Sequence, residues 1–169
     1  MSKQKMQVDA PALPSAITNL LDGSDPGKHV GFTIQLLTVD PDGAPRVALL
    51  SAGEVVALDS TRIRIALWPD SHATTNLTRS DLAALAFVFE NAAYCVQLLV
   101  CRAEDLSSPT RLAVFEARVT EVRRDVAPYA VLESGISFRL LDESSVVARW
   151  RATTEALASH RGCDPDAGR

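Results

Sequence analysis

A chain of 169 residues with 47% hydrophobic content can bury a real core in one globular domain, so folding requires neither disulfides nor a structural metal. Its net charge of -4 and pI near 5.3 exclude a surface built to neutralise many nucleic-acid phosphates. No stretch reaches the roughly 18 consecutive apolar residues of a membrane span, and the opening MSKQKMQVDAPALPS lacks the apolar centre of a signal peptide, so no membrane partner is expected and the cytoplasm is the expected compartment.

Residues 1–14, with Pro11 and Pro14, read as a mobile tail or arm. A short helix is predicted around Ser15 to Leu21, capped by Ser15 and ended before Gly23. VGFTIQLLTV, residues 30–39, has the β-branched and apolar character of a strand, and DPDGAP supplies the chemistry of a tight reversal. RVALLS then runs back, so 30–51 predicts a β-hairpin. AGEVVALD predicts a third strand and STRIRIAL a fourth, in which Arg62 and Arg64 alternate with Ile63, Ile65 and Leu67; that alternation predicts one buried face and one exposed.

Beyond residue 80, LAALAFVFE, AAYCVQLLVCRAEDL and RLAVFEARVTEVRRD are long apolar or alternating runs with short links. Links this short cannot hold crossover helices, so a closed or partly closed antiparallel barrel is favoured over a βαβ sheet. APYAVLES predicts a short helix. SSVVARWRATTEALASHR predicts a longer amphipathic one with Val146, Val147, Trp150 and Leu157 on one face. The fold class is therefore mainly β with peripheral helices, one domain over 15–162 and a C-terminal tail over 163–169.

Cys95, Cys101 and Cys163 are odd in number and show no CxxC spacing, so Cys95 and Cys101 read as small core residues and no metal site is expected. His29, His72 and His160 lie far apart, again without metal-ligand spacing. No Ser-His-Asp or Cys-His set can be assembled, which leaves the catalytic residues unknown.

WPDSHATTNLTRS, residues 68–80, enters from a strand with two serines, three threonines, one asparagine and one arginine but no glycine. A plain turn would rely on glycine and proline. Two readings stand: Ser71 caps a surface helix whose hydroxyls face water, or the hydroxyls, Arg79 and free helix N–H groups converge on an anion such as a phosphate. Trp68 is either a flat ligand wall or a core residue.

The stretch DGAPRVALLSAGEVVALDSTRIRIALWPDSHATTNL resembles the front half of the pyridoxamine 5′-phosphate oxidase-like FMN-binding split barrels: a Gly-x-Pro-Arg hairpin, a strand, a strand ending near the phosphate, and a Ser/Thr-rich turn into a helix. The resemblance spans about residues 28–125 and implies a six-stranded antiparallel split β-barrel that forms a homodimer with FMN at the subunit interface. It assigns Arg46 to the flavin phosphate, and Val47, Ala48 and Leu49 to the strand against the isoalloxazine ring. Leu67 and Trp68 fall beside the cofactor, and Ser71, His72, Thr74, Thr75 and Asn76 in the phosphate turn. Arg79 would be a second cation if the helix turned it inward.

This chain departs from the vitamin-B6 enzymes of that family. Ala73 stands where they place a lysine in the phosphate turn, Ser51 where they place a lysine for the substrate phosphate, and the ending HRGCDPDAGR lacks their substrate-binding segment. A flavin-dependent oxidoreductase acting on another small molecule is the implied function. The alternative is a flavin- or haem-binding module without turnover.

Overall fold

The computed structural model describes residues 7–9 and 11–167. It comprises β1 (Gln7–Asp9), α1 (Ser15–Leu20), a short 3-10 turn (Pro26–His29), β2 (Thr33–Val39), β3 (Pro45–Ser51), β4 (Val55–Ala57) and β5 (Arg62–Leu67). Then follow α2 (His72–Arg79), β6 (Leu82–Phe89), β7 (Ala92–Arg102), β8 (Ala113–Asp125) and α3 (Glu143–Ser159).

All strand pairs are antiparallel, and the sheet order is β3-β2-β6-β7-β8-β5-β4, with β1 paired to β8 off this path. β3 and β4 thus sit at opposite ends of the path yet are joined by only Ala52, Gly53 and Glu54. A flat sheet would hold its end strands roughly 29 Å apart, at about 4.8 Å per interval, whereas four residue steps reach only about 14 Å. The sheet must therefore curl nearly onto itself, which makes a split barrel. The path holds seven strands, with β1 an eighth member, where the family resemblance implies six.

Turn chemistry sets the two hairpin registers. Gly43, at φ +87°, donates to the Asp40 carbonyl at 2.9 Å, and Asp42 accepts from the Ala44 N–H at 3.1 Å, closing β2 onto β3 so that Thr33 faces Ser51. Glu90 and Asn91 both take positive φ, 46° and 60°, in the two-residue turn that pairs Phe89 with Ala92.

Inside the curl lie Ile34, Leu36, Leu50, Ile63, Ile65, Leu85, Val96, Leu98 and Phe115, all buried, with Ile17 and Leu21 against the same core. A second cluster of Val56, Ala66, Val114 and Leu157 lies beneath α3. Because α3 covers the outside of β5, that strand is buried on both faces, against the expected single face. Arg64 tolerates this by donating to Glu116 at 2.9 Å and to the Leu157 carbonyl at 2.7 Å.

α3 begins at Asp142, whose carboxylate accepts from the Ser145 N–H. It buries Val147, Trp150 and Leu157, while Val146 is half-buried. Trp150 lies across the β3–β4 link, where a Cβ on Gly53 would fall 2.1 Å from its ring.

Three local expectations are corrected. Ser15 does not cap α1; Pro14 holds that position and Ser15 begins the helix. Residues 127–134 form no helix and leave Tyr129 and Val131 exposed, because so short a helix needs a packed face. Cys101 is not a lone core thiol: it forms a disulfide with Cys163, leaving Cys95 free. The chain returns along β7 and β8 after α3, which brings two cysteines 62 positions apart together.

Of the N-terminal arm expected over 1–14, residues 7–9 form β1 and Leu13 is buried, while 1–6 and 10 lie outside the described residues. Of the tail expected over 163–169, Cys163 is bonded and Asp166 pairs with Arg118 at 2.7 Å; 168 and 169 lie outside the described residues. Among the described residues, no helix is long and apolar enough to cross a membrane.

Candidate functional site

Three elements meet where β3 starts, β5 ends and α2 begins. The cavity between them measures about 320 Å³ and is lined by Arg46, Val47, Ala48, Leu49, Leu67, Trp68, Ser71 and His72, together with Leu50, Glu54 and Ala73. Eight of the residues expected at a cofactor thus share one cavity. Thr74, Thr75, Asn76 and Arg79 are not part of its wall.

The reason lies in the start of α2. Ser71 Oγ accepts from the Thr74 N–H at 3.1 Å, so Ser71 caps the helix. Thr74 is buried and donates to the Trp68 carbonyl at 2.7 Å. Thr75 and Thr78 return their hydroxyls to the carbonyls four residues back, at 3.3 and 2.8 Å. Most of the hydroxyls therefore build the helix start and fix how the chain leaves Trp68; Ser71 alone among them faces the cavity. Arg79 does not turn inward but donates to the Val39 carbonyl at 2.5 Å.

Asn76 acts one layer behind the cavity. Its Nδ2 donates to Asp40 at 2.8 Å and to Thr38 Oγ1 at 3.0 Å. Asp40 in turn accepts from Arg46 Nε at 2.8 Å and pairs with Nη2 at 2.5 Å. The hydrogen bonds from Arg46 and Asn76 hold the Asp40 carboxyl down at about 2. Arg46 is thereby fixed as a cation at the cavity wall, with guanidinium N–H groups beyond those Asp40 uses.

The remaining wall is apolar and open. Val47, Leu49 and Trp68 are each about half exposed, at 53%, 56% and 51%. Glu54 is the one carboxylate in the cavity wall. Its Oε2 accepts from Ser51 N–H at 2.7 Å and Ser51 Oγ at 2.8 Å, while burial pushes its carboxyl up from the ordinary 4.5.

Asp40 and Glu54 were not legible as site residues in the sequence. Asp40 looks like the first residue of a turn, and Glu54 like one polar residue between two apolar strands. The faint signal for Glu54 is an acid in a link of only three residues, where the barrel closes.

The chemistry available is anion binding at one end, by Arg46 and the first free N–H groups of α2, and a flat apolar wall at the other; Ser71 lines that end but spends its hydroxyl on Thr74 Oγ1 at 3.1 Å and its N–H on the Trp68 carbonyl at 3.1 Å. A riboflavin phosphate needs that combination, and a cavity of this size lies at the small end of ligand sites of about 300 to 1,000 Å³. The residues present fit FMN. A larger cavity, of about 560 Å³, lies between the 3-10 turn and α3, but its Asp25 is already paired with Lys28 at 3.5 Å and with Arg151 at 3.4 Å. Among the described residues, no group of three His, Cys, Asp or Glu side chains is placed to hold a metal ion.

No family model matches the sequence. YclD of Bacillus subtilis (strain 168), an uncharacterized protein, is 38% identical over 141 residues, spanning 82% of this chain and 90% of YclD. Among solved structures, a candidate pyridoxamine 5′-phosphate oxidase from Lactobacillus delbrueckii superposes with a TM-score of 0.54 at 22% identity, covering 68% of this chain and 95% of its own. HupZ of Group A Streptococcus gives 0.52 at 14% identity, over 75% of this chain and 99% of its own. An F420 reductase gives 0.50 at 17%, over 65% and 98%. At these identities the structural likeness establishes the shared fold.

Proposed function

The chain belongs to the pyridoxamine 5′-phosphate oxidase-like split-barrel family, and from that premise we propose that it binds FMN in the cavity between β3, β5 and α2 and works as a flavin-dependent oxidoreductase on a small molecule. The observation that carries this reading is the convergence of Arg46, the α2 start and the half-exposed Val47, Leu49 and Trp68 on one cavity.

In this reading Arg46, oriented by Asp40, takes the phosphate together with the first backbone N–H groups of α2, whose start Ser71 caps. His72 and Ala73, the first residues of α2, have no intrahelical acceptor for their N–H groups and can donate to an anion. Val47, Ala48 and Leu49 lie against the ring system, and Trp68 closes its edge. FMN, once bound, supplies the redox chemistry; the protein binds, orients and limits access of water. No general base is required of the chain. The open apolar wall also fits a homodimer with the cofactor at its interface, because a second copy would cover Val47 and Leu49.

A second reading, a ligand-binding module without turnover, is favoured by one feature: His72 places an imidazole on the cavity wall, a group that can ligate haem iron. Titration with FMN and with haem, followed by anaerobic addition of NADH or NADPH, separates the two. Bleaching of a bound flavin supports the enzyme. Flavin held without reduction, or a haem spectrum lost in His72→Ala, supports the module.

A further inference from the structure

Across β3 from the flavin cavity lies a second one, of about 400 Å³, between β3, residues 136–140 and α3. Leu49, Leu50 and Glu54 belong to the walls of both. The two spaces are therefore adjacent compartments divided by those three side chains. The far wall of the second is apolar, from Ile136, Leu140 and Val146, and Trp150 closes it beneath α3.

Among the described residues, one cation faces this apolar space. Arg149 projects from the exposed side of α3 and lies 5.8 Å over the Trp68 ring, so its guanidinium rests on a residue of the flavin cavity while lining the second one. Arg46, Arg62, Arg64 and Arg151 are tied to carboxylates. For Arg149, by contrast, the described residues offer only the Trp68 ring and the more distant charge of Glu54. A guanidinium held on an aromatic face keeps its outer N–H groups open to a ligand.

We propose that this second cavity is a binding site for a small organic monoanion with an apolar body, such as an aryl- or branched-alkyl carboxylic acid. The carboxylate meets Arg149 and the body packs between β3 and residues 136–140. A phosphate dianion is disfavoured: among the described residues there is one cation and no helix N-terminus facing the space, and the Ser51 hydroxyl and N–H are already spent on Glu54. This deepens the flavin reading and rests on it for one point only: the bound acid lies next to FMN and so belongs to the substrate class. Binding of the acid does not depend on that reading.

The test is a calorimetric titration of the full chain, with and without added FMN, using 3-phenylpropionate and its neutral counterpart 3-phenylpropan-1-ol. The acid is expected to bind at least tenfold more tightly than the alcohol. Arg149→Met is expected to abolish that preference, and Arg149→Lys to restore part of it. Equal binding of acid and alcohol, or a preference that survives Arg149→Met, overturns the assignment, as does the absence of saturable binding by either. Retention of FMN is measured on the same samples. Flavin retained without a preference for the acid overturns this inference alone, and a preference without retained flavin overturns the flavin reading alone.

Discussion

Arg46 and Asp40 are locked together at the mouth of the β2–β3 hairpin, with the carboxylate of Asp40 taking both Nε and Nη2 of the guanidinium. Asn76 secures the same carboxylate from α2. The cation of the cavity between β3, β5 and α2 is therefore oriented before any ligand arrives. One charge-assisted hydrogen bond is worth about 1.5–3 kcal/mol, so Arg46→Ala is expected to weaken FMN binding by roughly 10- to 100-fold. Asp40→Ala keeps the charge but frees the side chain and should weaken binding less. Flavin fluorescence titration of the two variants checks the order.

The same pair predicts a pH dependence. The Asp40 carboxyl is depressed from 3.8 to about 2, first by the Arg46 hydrogen bond and then by Asn76. A depressed carboxyl contributes stability that is present above the unfolded value and is lost as pH falls through the folded one. The melting temperature of the wild type should exceed that of Asp40→Asn at pH 6, and the gap should close between pH 4 and 2. A gap unchanged across that window would contradict the pairing.

Glu54 titrates in the opposite sense. Burial raises its carboxyl, so the folded state binds its proton more readily than the unfolded one, and this site costs stability at neutral pH that is recovered on acidification. Glu54→Gln keeps an acceptor for the Ser51 N–H and removes the buried charge. It is expected to raise the melting temperature at pH 7, with the gain shrinking as pH falls toward 4.

Arg64 and Glu116 are paired under α3, both nearly inaccessible. Breaking a buried pair from one side costs about 3–5 kcal/mol, whereas replacing both partners by apolar residues can be neutral. Glu116→Ala is therefore expected to destabilise strongly, and Arg64→Met with Glu116→Leu to recover most of the loss. Urea unfolding of the wild type and these two variants reads this directly. A double variant no more stable than the single would contradict it.

The Cys101–Cys163 bond anchors the segment after α3 to β7. Gly162 lies directly on the Glu116 carboxylate, where a Cβ would fall 1.5 Å from Oε2. By the loop-entropy relation a closure of this length contributes up to about 4 kcal/mol, and disulfides more typically deliver 2–4. Cys163→Ser is expected to lower stability within that range and to speed tryptic cleavage at Arg161. In a reducing surrounding the wild type should behave like the variant.

The strands were legible because alternation carries through the burial pattern of β6 and of β8 from Ala117 onward, and DPDG marks the first hairpin with Gly43 in the left-handed region. α2 was legible from Ser71, because a cap acts on its own next residues. What escaped depends on residues distant along the chain. Arg64 looked exposed because the cover over β5 comes from α3, some ninety residues later. Cys101 looked like a lone core residue for the same reason. Thr74 and Asn76 sit in the right turn, but their bonds to Trp68 and Asp40 are three-dimensional facts that composition cannot supply.

The central claim is that Arg46, Trp68 and the start of α2 form a flavin site. The most direct measurement is the visible absorption spectrum of the purified protein after incubation with excess FMN and desalting. Retained flavin near one per chain, lost in Arg46→Ala, is the result predicted. A wild-type protein that emerges colourless at saturating FMN would contradict the claim and leave α2 as a capped helix beside an apolar cleft.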